Sequence, residues 1–258
     1  MPYTLWAIII FVIFIILYLR SLDKFIPTTL INLDRSPDRL MIMSLQCDLH
    51  GIPFKRHPAV DGGKHQFTDE ETDMLFGIAS GQPGLLEKYS KEERDALFKK
   101  REAEPIFKKT KNIMACALSH IQVWKANQGS PEPILVMEDD TVINAQFKQN
   151  VKEALQILNK VDPDWHIIWV SGGNPGDREV VAHWNLYDIY RMDPPEYIGQ
   201  GTVGYIMSPK GLEHFLKIID KQGCSYASDA FLFAHLDTLH AYGIHRPLLG
   251  SGLFKSTI

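Results

Sequence analysis

The stretch from Thr28 to Gly63 restricts the fold more than any other part of the chain. "TTLINLD" (28–34) is a short apolar run of strand character. It passes into "RSPDR", where Ser36 can cap a helix whose first position is Pro37. Leu40, Ile42, Met43 and Leu45 then recur at helical spacing, and Gly51 closes the helix. "PFKRHPAVDGG" (53–63) reads as a second strand ending in a glycine turn. A strand, a helix and a strand in this order are the usual opening of an α/β layered domain.

The rest of the chain continues in that style. Residues 64–111 are charged and poor in apolar pattern, and are expected to be helical in pieces, an insertion over one face. Helices are predicted at 113–126, 147–158 and 209–219, and strands at 134–138, 165–173, 186–192 and 201–208, with a strand-like "YGIHRPLL" near the end. The sequence therefore predicts one α/β domain over residues 28–258, its helices flanking a sheet. The hydrophobic content of 45% and charged content of 22% are ordinary for a globular chain of 258 residues. A net charge of −4 argues against nucleic acid as a main partner. Lys88–Lys111 runs the other way, with nine basic residues against five acids. It reads as a solvated helical insertion, or as a surface that meets an anionic partner.

Residues 1–27 are of another kind. Met1–Leu19 holds no charged side chain, and Leu5–Leu19 is unbroken apolar sequence. About 20 apolar residues suffice to span a bilayer, so residues 3–19 predict a single transmembrane signal-anchor helix, with a short linker to residue 27. Arg20 and Lys24 follow the stretch, which places the large domain on the cytoplasmic side by the positive-inside rule. Three cysteines, an odd number, and the lack of an N-x-[ST] sequon agree with that side.

The chemistry concentrates in "ILVMEDDT" (134–141), an apolar strand that ends in three acids. At the carboxyl edge of an open α/β sheet, where ligands bind, such acids suit a hard divalent cation, which takes carboxylates together with phosphate oxygens. Alternation along a strand would point Glu138 and Asp140 to one side as metal ligands, with Asp139 turned toward the protein or a sugar. The structural alternative is that Asp140 caps the following helix.

Five segments, "INLDRSPDR", "FKRHPAVDG", "ACALSHIQVW", "ILVMEDD" and "GTVGYIMSPKGLEHFL", occur in this order over Thr29–Leu249. Together they resemble glycosyltransferase family 25, which includes bacterial lipooligosaccharide galactosyltransferases and collagen galactosyltransferases. The resemblance implies a GT-A-like nucleotide-binding domain, a UDP-sugar donor (commonly UDP-galactose), Mn²⁺ or Mg²⁺, and transfer with inversion to a hydroxyl of a glycan, lipid-linked or protein acceptor. On this likeness Asn32 and Asp34 fall where the base or ribose is held. Arg39 is suited to the phosphates or the ring, unless it merely pairs with Asp34 or Asp38. Asp61 lies near the ribose, unless it only stabilises its turn.

His120 of the "ALSH" motif would meet the donor sugar or diphosphate, its structural alternative being a packed polar residue. Gly201, Thr202 and Tyr205 belong to a small-residue strand along which a sugar can approach, with Tyr205 stacking on it. The general base that inversion needs is expected at Asp229, in preference to Glu196. His235, His240 and His245 are further metal-ligand candidates, with a structural role as the alternative for each. One departure stands out: the family's Gly-Glu-x-Gly run before "CALSH" is Asn112-Ile113-Met114-Ala115 here, which bears on sugar and acceptor choice. A metal-dependent phosphohydrolase fits poorly, because "NLDRSPDR" lacks its aspartate nucleophile pattern. The alternative that remains is a non-catalytic nucleotide-sugar or glycan-binding relative.

Overall fold

The computed structural model describes residues 24–80, 89–173, 178–193 and 202–252. Thr28–Asn32 (β1), Pro37–His50 (α1) and Lys55–Pro58 (β2) make a β-α-β opening, and β1 and β2 run parallel. Gly51 ends α1 at φ 63°, a left-handed conformation that costs glycine little. Four helices follow: Asp69–Met74 (α2), Phe76–Ser80 (α3), Lys91–Glu102 (α4) and Phe107–Ala126 (α5). Capping boxes start α2 (Thr68 with Glu71) and α4 (Ser90 with Glu93), so these helices form with little apolar pattern to support them. The helix predicted at 113–126 already begins at Phe107.

The remaining elements are Ile134–Glu138 (β3), Thr141–Ile143 (β4), Phe147–Val161 (α6), Ile167–Gly173 (β5), Val180–Trp184 (β6), Tyr187–Arg191 (β7), Gly204–Met207 (β8), Pro209–Gln222 (α7), Ser228–Phe233 (α8), Ala241–His245 (β9) and Leu249–Ser251 (β10). Eight strands form one mixed sheet in the order β2-β1-β3-β8-β5-β9-β7-β6, while β4 and β10 pair separately. β1 is parallel to both neighbours, but β8 runs antiparallel between β3 and β5. β6 lies at the sheet edge, in a segment whose sequence reads as a polar loop.

Side chains alternate cleanly across the central strands. Ile134, Val136, Ile167, Trp169, Tyr205 and Met207 enter one core, packed with Trp124, Phe215 and Phe231. Leu135, Met137, Ile168, Val170 and Ile206 enter the other, with Met43, Phe147 and Leu158. Both faces are thus covered, which is why these strands read as continuous apolar runs.

The expectation of a single-pass membrane protein is corrected here. No helix among the described residues is long and apolar enough to cross a membrane; the longest, α5, carries Lys108, Lys109, Lys111 and Lys125. The apolar stretch at 3–19 lies outside the described residues, as do Glu196 and Gly201.

Candidate active site

Because β1, β2 and β3 are parallel, all three end at the same edge, and the reversed β8 begins there. A cleft opens at that edge. Asn32, Arg35, Val60 and Gly62 line one side; Asn112, Cys116, Ser119 and His120 line another, and Glu138 and Asp139 close the end. The four α5 residues fall at i, i+4, i+7 and i+8, one face of the helix. Glu138 continues the Ile134–Val136 alternation and so points to the face that α5 covers. Gly62 lets the loop after β2 lie against α5, since a Cβ there would sit 2.6 Å from the Lys111 carbonyl oxygen.

A directed hydrogen-bond chain runs from the core to this cleft. The Trp124 indole donates to Tyr205 Oη at 2.8 Å, and Tyr205 Oη lies 2.9 Å from His120 Nδ1. His120 Nε2 meets Glu138 Oε1 at 3.2 Å, and the Thr202 hydroxyl donates to the same oxygen. An indole N–H can only donate, so the phenol accepts from it and turns its own hydrogen to Nδ1. The imidazole hydrogen is then assigned to Nε2 by its partners, facing the carboxylate. Trp124, Tyr205 and His120 are buried, whereas the Glu138 side chain keeps 24% of its surface exposed. Glu138 Oε2 has no hydrogen-bond partner among the described residues. Burial pushes the Glu138 carboxyl up, but the His120 and Thr202 contacts outweigh it and hold it below its ordinary value. Thr202 Oγ1 continues to Ser228 Oγ at 3.2 Å, and Ser228 Oγ lies 3.7 Å from Cys116 Sγ.

Several expectations need correction. Tyr205 is fully buried, because β8 is an interior strand of the sheet, so it offers no face to a sugar. Arg39 pairs with neither Asp34 nor Asp38; it is buried, and its Nη1 donates to Asp139 Oδ1 at 2.9 Å. Asn32 Nδ2 bonds Asp139 Oδ2 at 2.7 Å and the Ser36 carbonyl at 3.0 Å, while Asn32 Oδ1 accepts from Arg56. Its polar atoms are engaged within the protein, so Asn32 holds the site together instead of reading a base. Asp34 is exposed and pairs with Arg56. Asp61 takes its turn role, accepting from the Gly63 amide, and also pairs with Arg35.

β3 stops at Glu138, so strand alternation does not extend to Asp140, and the chain turns into β4 and not into a helix that Asp140 could cap. Asp140 Oδ1 is buried without a hydrogen-bond partner among the described residues. Burial first, then the charges of Glu138 and Asp139, push its carboxyl up to about 6 against the pull of Arg39. An orphaned carboxylate oxygen under the charges of Glu138 and Asp139 fits the oxygen-ligand requirement of a hard divalent cation.

The structure brings His120, Thr202 and Asp139 to Glu138, and it sets Asp229 in the first turn of α8, where its charge acts on the Cys116 thiol. Burial, and then Glu138, Asp229 and Asp140, raise that thiol to about 12, with Ser228 opposing them. The distant histidines serve elsewhere: His235 contacts Gln222, His240 contacts Asp162, and His245 contacts Asp188. Cys116, Ser228, Trp124 and Arg35 have no assigned role in the sequence reading. The only sequence signal for Cys116 is its place one helical turn before His120.

Comparison with known proteins gives the class first. Among curated relatives, procollagen galactosyltransferase 2 of Mus musculus is 29% identical over 189 residues, covering 71% of this chain and 26% of its own length. A putative glycosyltransferase of Haemophilus influenzae is 24% identical over 191 residues, 72% of this chain and 60% of its own. Putative glycosyltransferase R655 of Acanthamoeba polyphaga mimivirus is 28% identical over 113 residues, 41% of this chain and 34% of its own. The chain thus spans about a quarter to a third of the length of the first curated relatives. The sequence profile of glycosyltransferase family 25 (LPS biosynthesis protein) matches residues 25–172, more than half of the chain, and the chain belongs to that family. Of solved structures, mouse xyloside xylosyltransferase 1 aligns at TM-score 0.31 and 11% identity over 81% of this chain and 68% of that one, too distant to carry an argument.

Proposed function

We propose that this glycosyltransferase transfers a hexose, galactose, from a UDP-sugar to a hydroxyl of a glycan, lipid-linked or protein acceptor, with inversion and with a divalent cation. The observation that carries the proposal is Glu138, which lines the cleft and is pinned through Oε1, two residues before the unpartnered Oδ1 of Asp140. These two carboxylates would hold Mn²⁺ or Mg²⁺, which supplies charge neutralisation at the leaving diphosphate.

The chain's own residues do the rest. Arg35, Val60 and Gly62 form the groove at the ends of β1 and β2 that takes the nucleoside, with Asp61 at its rim. Arg39 and Asn32 keep Asp139 in place at the cleft's end. Asp229, on the side of the cleft near Thr202 and Ser228, takes the acceptor proton as the hydroxyl attacks the anomeric carbon. A galactose donor agrees with the printed name of the procollagen galactosyltransferase relatives.

Calorimetric titration of UDP, UDP-galactose and UDP-glucose into the full chain, with Mn²⁺ and with chelator, tests the reading. Binding that needs the metal and favours UDP-galactose is the expected result; no binding in either condition overturns it.

A further inference from the structure

The cleft contains a second group of possible ligands whose chemistry differs from that of the acids. Cys116 Sγ, a ring nitrogen of His120 and a carboxylate oxygen of Glu138 all lie within 4.8 Å of one another. We propose that these three side chains form a site for a thiophilic divalent cation, Zn²⁺ or Cd²⁺, separate from the oxygen-ligand site of Glu138 and Asp140 but sharing Glu138 with it.

Four observations converge on it. The donor set is sulfur, nitrogen and oxygen, which zinc accepts in tetrahedral sites and which hard Mn²⁺ or Mg²⁺ does not prefer. Three protein ligands facing a cleft leave a fourth position for water or ligand, and Cys116, His120 and Glu138 all line that cleft. The surroundings are anionic, since Glu138, Asp229 and Asp140 all act on the Cys116 sulfur. Finally, the far side of the imidazole is already anchored. Metal-bound histidines orient through their other nitrogen, and His120 Nδ1 lies 2.9 Å from Tyr205 Oη, which Trp124 fixes in turn.

Proton movements on binding follow from the same contacts. The cation takes the place of the hydrogen between His120 Nε2 and Glu138. The imidazole keeps one hydrogen, now on Nδ1, and donates it to Tyr205 Oη, which still accepts from Trp124 and gives up its own donation. Cys116 releases its proton to solvent and binds as thiolate. Glu138 retains the Thr202 hydrogen bond.

One consequence rests on the proposed transferase reading: a soft cation held here withdraws Glu138 from the donor's metal, so Zn²⁺ antagonises Mn²⁺. The site itself does not depend on that reading. Cys47 and Cys224 give an internal control, because both are buried and neither belongs to such a group among the described residues.

The test uses Co²⁺ as a spectroscopic stand-in for Zn²⁺, added to the full chain without nucleotide. A thiolate-to-cobalt charge-transfer band in the near ultraviolet, with tetrahedral d–d bands that Zn²⁺ abolishes, is expected. The band should be lost in Cys116→Ser and Cys116→Ala and kept in Cys224→Ser; the two variants at Cys116 guard against misfolding of either. Tyr205→Phe should weaken cobalt binding about 10- to 100-fold through the lost orientation of His120. No charge-transfer band, or one that survives removal of Cys116, overturns the site. Transfer with Mn²⁺, measured in parallel, separates the two ideas: a chain that shows the cobalt band but binds no UDP-sugar refutes the transferase reading alone.

Discussion

Replacing Asp140 with asparagine removes one of three clustered carboxylates while keeping its shape. The aspartate carboxyl, ordinarily near 3.8, is pushed up to about 6, so ionising it in the folded protein is unfavourable. A shift of about 2 units corresponds to about 3 kcal/mol at 1.36 kcal/mol per unit. Solvent screening at this half-buried position reduces the expected effect to about 1–2 kcal/mol.

The sign follows from linkage. A carboxyl raised in the folded state stabilises it while protonated, fully below pH 3.8, and that contribution is lost as pH rises through about 6. Asparagine resembles the protonated form at every pH. In chelator at pH 7.5, Asp140→Asn should therefore be more stable than the parent in urea denaturation, with its melting temperature about 3–6 °C higher. Near pH 4 the difference should vanish. With Mn²⁺ and UDP added, the parent should gain stability by ligand linkage and the variant should not, and its transfer activity should be lost. A variant destabilised at pH 7.5 in chelator would show that Asp140 has a structural partner and would refute the argument from charge clustering.

Three further outcomes are expected. Tyr205→Phe leaves the Trp124 indole and His120 Nδ1 without their partner in a buried site, and should cost about 1–3 kcal/mol in urea denaturation; an unchanged midpoint would break the hydrogen-bond chain. His166, stacked on His214 and edge-on to His240, is pushed down to about 4 by burial and then by those neighbours. Its folded value lies below the ordinary 6.5, so stability is full above pH 6.5 and falls as pH drops toward 4; His166→Gln should flatten that decline. Gly62→Ala places a Cβ 2.6 Å from the Lys111 carbonyl oxygen and 2.8 Å from Asn112 Cα, and overpacking of this kind costs about 1–3 kcal/mol. The loop must lift from α5, so weaker UDP binding by calorimetry accompanies the lower stability.

What was legible in the sequence were features carried by local pattern. The apolar runs of β1, β3 and β5, the proline start and glycine stop of α1, and the acids at a strand end all follow from residue type and spacing. What was hidden depended on distant pairing. Arg39 has acids close by in sequence at Asp34 and Asp38, so local pairing stands level with phosphate or ring recognition when only the sequence is read. The real partner, Asp139, is brought in by the parallel pairing of β1 with β3. Tyr205 sits among small residues that suggest an open strand, yet β8 is flanked by β3 and β5 and packed on both faces. Thr202 and Ser228 reach Glu138 and Cys116 only because β8 is reversed and α8 returns to the same edge, which no periodicity reports. β6 was missed because an edge strand need not show a buried face. For the candidate site, the sequence names Glu138, His120 and Thr202 individually, while the contacts that join them come from the packing of α5 and the β8 entry against β3.

The place of β8 also sets an order of events during synthesis. β1, β2 and β3 are the first three strands and lie together in the order β2-β1-β3, so one side of the cleft is encoded before residue 139. Thr202 arrives much later, and the strand it introduces must slot between β3 and β5 before it can grip Glu138. Before that strand is in place, Glu138 Oε1 has His120 without Thr202, while Arg39 and Asn32 have what they need to hold Asp139. Truncation anywhere before residue 202 would remove the hydroxyl that donates to Glu138 Oε1.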